Sequence, residues 1–285
     1  MRTRLIGDVH VSAIGLGAMP MSIEGRPDEQ RSLTTIHAAL DAGVTLIDTA
    51  DAYHLHADEV GHNESLIAKA LSSHPRGADV LVATKGGHLR PGDGSWTLDG
   101  SPAHIKRACE ASLRRLGVEA IGLYQFHRPD PTVPYEDSVG AVAELLDEGK
   151  IRMAGISNAS VAQIRLAQEI LGGRLVSVQN EFSPGFRSSE GELRLCDELG
   201  LAFLPWSPFG GSSAAGGLGA RHAAFGDVAR ERGVSPQQVT LAWMLALSPV
   251  VIPIPGSSRP ETIRDSAAAV DLELTAAEVQ ALSAS

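Results

Sequence analysis

The chain is expected to fold as one α/β domain over residues 1–285. The expected form is an eight-stranded parallel (β/α)8 barrel with an N-terminal β-hairpin and extra helices. Three observations carry that expectation. Short apolar, β-branched runs alternate eight times with longer segments of helical period, a pattern that makes a parallel sheet. Three of these runs end beside residues able to move or steer a proton, where catalytic side chains converge in such barrels. The glycine-rich fingerprint of an open dinucleotide-binding sheet is missing. Gly15-Leu16-Gly17 continues as Ala18-Met19-Pro20, without the third glycine and without a helix start.

The elements follow in order. Arg4-Leu5-Ile6 and Val9-His10-Val11 flank Gly7-Asp8, a pair suited to a tight turn, and read as a hairpin. The eight strands are AIGLG (13–17), TLID (45–48), VLVAT (80–84), IGLYQF (121–126), IRMAGIS (151–157), LVSVQ (175–179), LAFLPW (201–206) and VVIPI (250–254). Segments 28–43, 63–73, 102–117 and 135–150 repeat apolar residues at spacings of three and four, the helical period. Ser101-Pro102 and Ser235-Pro236 each set a capping hydroxyl before a first-turn proline. Gly43, Gly117, Gly149 and Gly200 stop helices. The tract GGSSAAGGLGA (210–220) reads as a mobile loop in the long connection after the seventh strand.

Composition narrows the class of protein. With 43% hydrophobic but 4% aromatic residues, the core must be built from Ala, Val, Leu and Ile. A net charge of −10 argues against nucleic acid or an anionic membrane as partner, while leaving room for a local basic site for a phosphate. Cys109 and Cys196 lie far apart in helix-like segments and suggest neither a disulfide framework nor a metal cluster. The N-terminus lacks a signal-peptide pattern, and no apolar stretch reaches about 18 residues. A soluble, cytoplasmic monomer acting on a small molecule is the expectation.

The chemistry concentrates in Asp48-Thr49-Ala50-Asp51-Ala52-Tyr53, with Lys85 after VLVAT and His127 after LYQF. A free tyrosine has a pKa near 10, and a buried ammonium beside it is expected to lower that value. Lys85 can supply the ammonium, and Asp48 can keep it protonated and fixed. His127 can donate a hydrogen bond to a substrate oxygen. Together these groups make an acid for a carbonyl oxygen that gains charge as hydride reaches carbon. Proton donation and electrostatic stabilisation there are each worth a few powers of ten in rate. Met21, His54, His88 and Trp96 lie on loops after the first three strands, where they either wall the pocket or face solvent. His54-Leu55-His56 superficially looks like a metal pair, but it follows the loop tyrosine rather than lying within a strand. No metal site is expected.

Seven ordered motifs then resemble the aldo-keto reductase superfamily over essentially the whole chain. They are DTADAY, the lysine after VLVAT, the histidine of LYQFHRPDP, GKIRMAGISN, SVQNEFSP, LPWSPFGG and IPIPGSSRPETIRDS. The resemblance implies NADPH-dependent reduction of an aldehyde or ketone, with NADH possible. Tyr53 is then the general acid, Lys85 and Asp48 tune it, and His127 positions the carbonyl. It implies that Ser157, Asn158 and Gln179 hold the carboxamide and that Trp206, where the family usually has tyrosine, stacks on the nicotinamide. Ser207, Pro208, Phe209 and Gly211 match the pyrophosphate loop, and Gly256, Ser257, Ser258 and Arg259 the 2′-phosphate site. Asp265 and Ser266 match adenine contacts, and Gly17, Met19, Asp48 and Ile254 complete the implied cofactor set. Thr262 stands where many members carry a phosphate-binding arginine, which weakens the preference for NADP over NAD. The sequence ends at Ser285 without the long C-terminal loops of some relatives, which implies an open pocket and permissive recognition.

Two rival readings remain at this point. Lys85 could serve a Schiff-base aldolase, which needs a neutral amine part of the time. The same fold could also act as a nucleotide sensor or regulatory subunit.

Overall fold

β-Branched runs too short for helices pair here in chain order. The computed structural model describes residues 1–211 and 214–285. Strands β1 (Thr3–Ile6) and β2 (Val9–Ser12) form the N-terminal antiparallel hairpin, turning at Gly7 with φ +58°. The main strands begin with β3 (Leu16–Gly17), β4 (Leu46–Asp48) and β5 (Leu81–Gly86). A second hairpin, absent from the sequence expectation, follows as β6 (His88–Leu89) and β7 (Thr97–Leu98). The sheet resumes with β8 (Ile121–Phe126), β9 (Ile151–Ser157), β10 (Leu175–Gln179) and β11 (Ala202–Phe203). Its order is β11-β10-β9-β8-β5-β4-β3, and every neighbouring pair is parallel.

The expected eighth strand, 250–254, is not a regular strand. Pro253 and Pro255 have no N–H, and Pro205 opposite lacks one too, so a continuous ladder cannot form. The segment still hydrogen-bonds on both sides. Phe203 N and Ile254 N reach the carbonyls of Val250 and Pro205, and Gly15 N and Gly17 N reach those of Pro253 and Pro255. Both edges of the seven-stranded sheet are therefore joined through it. Prolines also shorten the seventh run to two strand residues, whereas the third outruns its expected end and takes Lys85 into β5.

Helices alternate with the strands: α1 (Glu29–Asp41), α2 (His62–Ser72), α3 (Pro102–Leu116), α4 (Tyr135–Asp147), α5 (Val161–Ile170) and α6 (Glu190–Leu199). After β11 come α7 (Leu218–Arg221), α8 (Ala223–Arg232), α9 (Pro236–Leu247), α10 (Pro260–Ala268) and α11 (Ala276–Ser283). Their ends obey the capping chemistry. Ser101 and Ser235 accept hydrogen bonds from His104 N and Gln238 N, and Gly117 and Gly200 close α3 and α6 in the left-handed conformation. Cys109 and Cys196 are buried in α3 and α6. The tract 210–220 was expected to be loop throughout. Part of it is helical, with a 3-10 turn at Ala215–Gly217 leading into α7, and its residues 212 and 213 lie outside the described ones.

The sheet interior holds Leu46, Ala83, Leu123, Met153, Ala202, Leu204, Ile252 and Ile254 in one cluster with Ile6 and Val11 of the hairpin. The Gly7 turn packs against Val176 and Met153, near the starts of β10 and β9. The hairpin thus covers the N-terminal ends of the strands and leaves their C-terminal ends for chemistry. Among the described residues, no helix is long and apolar enough to cross a membrane.

Candidate active site

Four strand ends meet at one place. Asp48 is the last residue of β4, Lys85 the penultimate residue of β5, and Gln179 the last of β10. His127 follows the last residue of β8. Tyr53 hangs on the loop after β4, which is tied down by backbone bonds from Asp51 N to Lys85 O, Gly61 N to Asp51 O and Asn63 N to Tyr53 O. Lys85 Nζ donates to Asp48 Oδ1 at 2.6 Å, to Thr49 O at 2.8 Å and to Tyr53 Oη at 3.2 Å. An ammonium has three protons, so none is left over. Gln179 Nε2, at 2.7 Å, and Gln125 Nε2, at 3.4 Å, donate to the other Asp48 oxygen. The carboxylate is thereby clamped on both sides.

Electrostatics follow from that clamp and from burial. Burial disfavours the Lys85 charge, but Asp48 and Tyr53 outweigh it and hold the ammonium above the ordinary lysine range. For Tyr53 the expected direction is corrected. Burial raises the phenol, the Lys85 charge opposes it, and burial wins, so Tyr53 stays protonated well past neutrality. Burial, Lys85, His88 and Arg128 together push His127 well below the usual histidine range. The imidazole is neutral, and its buried Nδ1 has no hydrogen-bond partner. Its ring stands edge-on to Tyr53, with centroids 5.8 Å apart.

His88 and Trp96 join this cluster. The His88 ring lies 4.8 Å from His127 and 4.7 Å from Trp96, whose own centroid is 6.5 Å from that of Tyr53. Burial, then Arg128 and Lys85, push His88 down to about 4. The β6–β7 hairpin brings both rings there, since His88 opens β6 and Trp96 immediately precedes β7. Met21 does not join them. It is buried in the core with Ala18, Ile36 and Leu66, because the turn after β3 directs it under α1 and α2. His54 is buried as well, neither in these ring contacts nor facing solvent. Its Nδ1 bonds to His56 O, and Arg90 donates to its carbonyl. Among the described residues no group of three or more His, Cys, Asp or Glu is placed to hold a metal.

The residues assigned to a cofactor by resemblance lie at the same end. Ser157 ends β9, and its hydroxyl donates to Gln179 O at 2.7 Å, while Asn158 Nδ2 donates to His127 O at 3.0 Å. Asn158 and Ser207 have φ of 57° and 49°, the only non-glycine residues among those described with left-handed backbone. Strain of this kind clusters at binding and catalytic sites. Trp206 bridges Glu181 and keeps a buried indole N–H without a partner. Beyond Ser207, Pro208 and Phe209 are buried, and Gly211 has φ +101° with open space around it. Gly17 carries no side chain because a Cβ there would meet Ile254 O at 2.8 Å and Gly256 within 3.3 Å. Met19 is half-buried beside Pro20, itself packed on Gly256. At the start of α10, Ser257 Oγ contacts Thr262 Oγ1, Ser258 is half-buried and Arg259 is exposed. Asp265 directs its two oxygens to Ser235 and Gln238 at the start of α9, and Ser266 is buried beside it.

Sequence reasoning missed two participants. Gln125 lies two residues before His127, and the period-two rule for a strand would have put it on the same face. The second is Asp51, inside DTADAY but past the end of β4, whose carboxyl is buried with one oxygen unpartnered.

A parallel α/β sheet with a clamped lysine, a tyrosine and a neutral histidine at its C-terminal ends defines a class of barrel-like oxidoreductases. The chain belongs to the aldo/keto reductase family, whose model matches residues 13–285. An uncharacterized oxidoreductase of Schizosaccharomyces pombe is 34% identical over 274 residues, covering 95% of this chain and 85% of that protein. The structure of a glycerol dehydrogenase from Gluconobacter oxydans superposes with a TM-score of 0.84 at 28% identity, covering 98% of this chain and 93% of that one. An aldo/keto reductase from Klebsiella pneumoniae, solved with NADP and acetate, gives 0.81 at 26% identity, covering 99% and 94%.

Proposed function

We propose that this protein reduces an aldehyde or ketone to the alcohol with NADPH, Tyr53 supplying the proton. The observation that carries the reading is the Lys85 ammonium, which gives its three protons to Asp48, Thr49 and Tyr53. Tyr53 Oη accepts there, so its own hydrogen is free to point at a substrate. Because burial keeps the phenol protonated, it is available as an acid at neutral pH, and an alkoxide is basic enough to take its proton. Neutral His127 makes no hydrogen bond through its ring among the described residues, so its one N–H, carried on Nε2 rather than the enclosed Nδ1, can donate the second hydrogen bond to the same oxygen.

When bound, NADPH supplies the hydride. Ser157, Asn158 and Gln179 would hold its carboxamide, and Trp206 its ring face. Ser207, Pro208, Phe209 and Gly211 would lie along the pyrophosphate, and Gly256 to Arg259 would take the 2′-phosphate. The two left-handed residues and the orphaned indole N–H support that fit, since each falls within this set. The NADP in the Klebsiella pneumoniae structure supports the cofactor. The aldolase reading finds no support, because an amine that is fully buried and donates every proton is no nucleophile.

The test is a fluorescence titration with NADPH and NADH, followed by cofactor consumption with a panel of carbonyl compounds. Tighter binding of NADPH and its oxidation by several aldehydes are expected. Binding without consumption across the panel would sink the enzymatic reading and favour a nucleotide sensor.

A further inference from the structure

The residue after His127 is an arginine that forms no ion pair among the described residues. Arg128 Nη2 donates to Asn158 Oδ1 at 3.1 Å, while its Nε is buried without any partner. Of the other cations at this end, Arg259 at the start of α10 is exposed and in no ion pair among the described residues, whereas the two nearest the catalytic rings are matched. Lys85 is paired with Asp48, and Arg90, stacked over Trp96, is paired with Glu24. His88 and His127 are neutral, lowered by burial and then by these neighbouring cations. Glu181 is the carboxyl whose titration Arg128 influences, burial raising it and Arg128 opposing, but the two form no ion pair. A chain of net charge −10 thus places, beside its hydrogen-bonding histidine, a guanidinium with no ion pair and a buried Nε–H without a partner. A desolvated donor without an acceptor is unfavourable, and a planar guanidinium matches the oxygens of a carboxylate or phosphate.

We infer that Arg128 is a specificity-determining residue that binds an anionic group, carboxylate or phosphate, carried by the carbonyl substrate. The inference rests on the carbonyl-reductase reading and narrows its substrate class. Charged aldehydes and ketones bind with the anion on Arg128 and the carbonyl oxygen at Tyr53 and His127.

The experiment compares matched pairs on the full chain with NADPH. One pair is 4-carboxybenzaldehyde against its methyl ester, and the other is glyceraldehyde 3-phosphate against glyceraldehyde. A charge-assisted hydrogen bond should favour the anion by about tenfold or more in kcat/KM, mostly through KM. The pair with the larger ratio tells whether carboxylate or phosphate is the source. In Arg128→Gln the ratio falls towards one, and Arg128→Lys restores part of it. A variant that slows both members of a pair equally, leaving the ratio unchanged, overturns the inference. So does a weakened NADPH affinity with an unchanged ratio, which would assign Arg128 to the cofactor. Calorimetric binding of benzoate against benzamide separates this from a failure of the enzymatic reading. Benzoate binding that is lost in Arg128→Gln upholds the anion site even if no carbonyl is turned over, and equal binding of both ligands overturns it.

Discussion

At the scale of single residues, the site turns on which way each proton points. Lys85 cannot donate more than it does, and Asp48 accepts from Lys85, Gln179 and Gln125. The phenol proton of Tyr53 is therefore the mobile one. Tyr53→Phe should lower turnover by about 10²–10⁴-fold while NADPH affinity stays near wild type, since the ring and its packing remain. Near-normal turnover would show that another group is the acid. The pH dependence follows from the direction of the shift. Burial raises Tyr53 above its ordinary value, so the acid form is complete through the neutral range and is lost only as pH rises through the raised pKa. Carbonyl reduction should be flat from about pH 6 to pH 9, and the reverse alcohol oxidation, which needs the phenolate, should climb with pH. Initial rates in both directions across that range check it. A fall in reduction near pH 7 would contradict the protonated phenol.

At the scale of elements, the loop between β4 and α2 is held from behind by a buried polar network. Glu64 of α2 is fully buried, accepting from Thr84 Oγ1 at 2.6 Å and from Arg115 Nε of α3 at 2.6 Å. Gly61 lets the guanidinium pass, since a Cβ there would sit 1.9 Å from Arg115 Nε. Replacing Arg115 with Met should cost about 3–5 kcal/mol, because it strands a buried carboxylate, and urea unfolding measures the loss. Burial, then Glu64, push the nearby Asp51 carboxyl up to about 8. The folded chain keeps a proton that the unfolded chain releases above about pH 4, so this group lowers stability progressively up to about pH 8 and not beyond. Asp51→Asn removes that dependence, so its stability gain over wild type should widen across the same window; parallel urea midpoints would refute it. None of this network was legible in the sequence. The strand ends were, because Asp48, Lys85 and His127 follow apolar runs whose period is local. The pocket wall was half legible. His88 and Trp96 reach the site through a hairpin whose two-residue strands are too short to show a period, although Asp93-Gly94 between them is a turn pair, and Met21 was taken inward by helices that periodicity could place in order but not in space. The eighth run was recognisable as buried, but its prolines decided how its hydrogen bonds could form.

At the scale of the molecule, chemistry and stability occupy opposite ends of one curled sheet. The C-terminal ends of β4, β5, β8, β9 and β10 carry the polar site, whereas the N-terminal ends are stopped by the β1–β2 hairpin. Arg4 of β1 donates to the carbonyls of Leu245, Ser248 and Val251, anchoring the hairpin to the end of α9 and to the segment that joins the two sheet edges. Ile6, fully buried, belongs to the same apolar cluster as Leu46, Leu123, Ala202 and Ile252 of the sheet interior. Residues at this end of a parallel β/α sheet serve stability, and those at the other end serve function. Ile6→Ala leaves a cavity among rigid strands that cannot collapse into it, so it should cost about 2–5 kcal/mol of unfolding free energy. The hydrogen bonds that fix Lys85, Tyr53 and Asp48 do not pass through Ile6. Below the variant's own melting range, kcat and KM for any turned-over aldehyde should therefore match wild type, while the urea midpoint falls. A variant that keeps its urea midpoint but loses kcat would show that this cluster and the site are coupled after all.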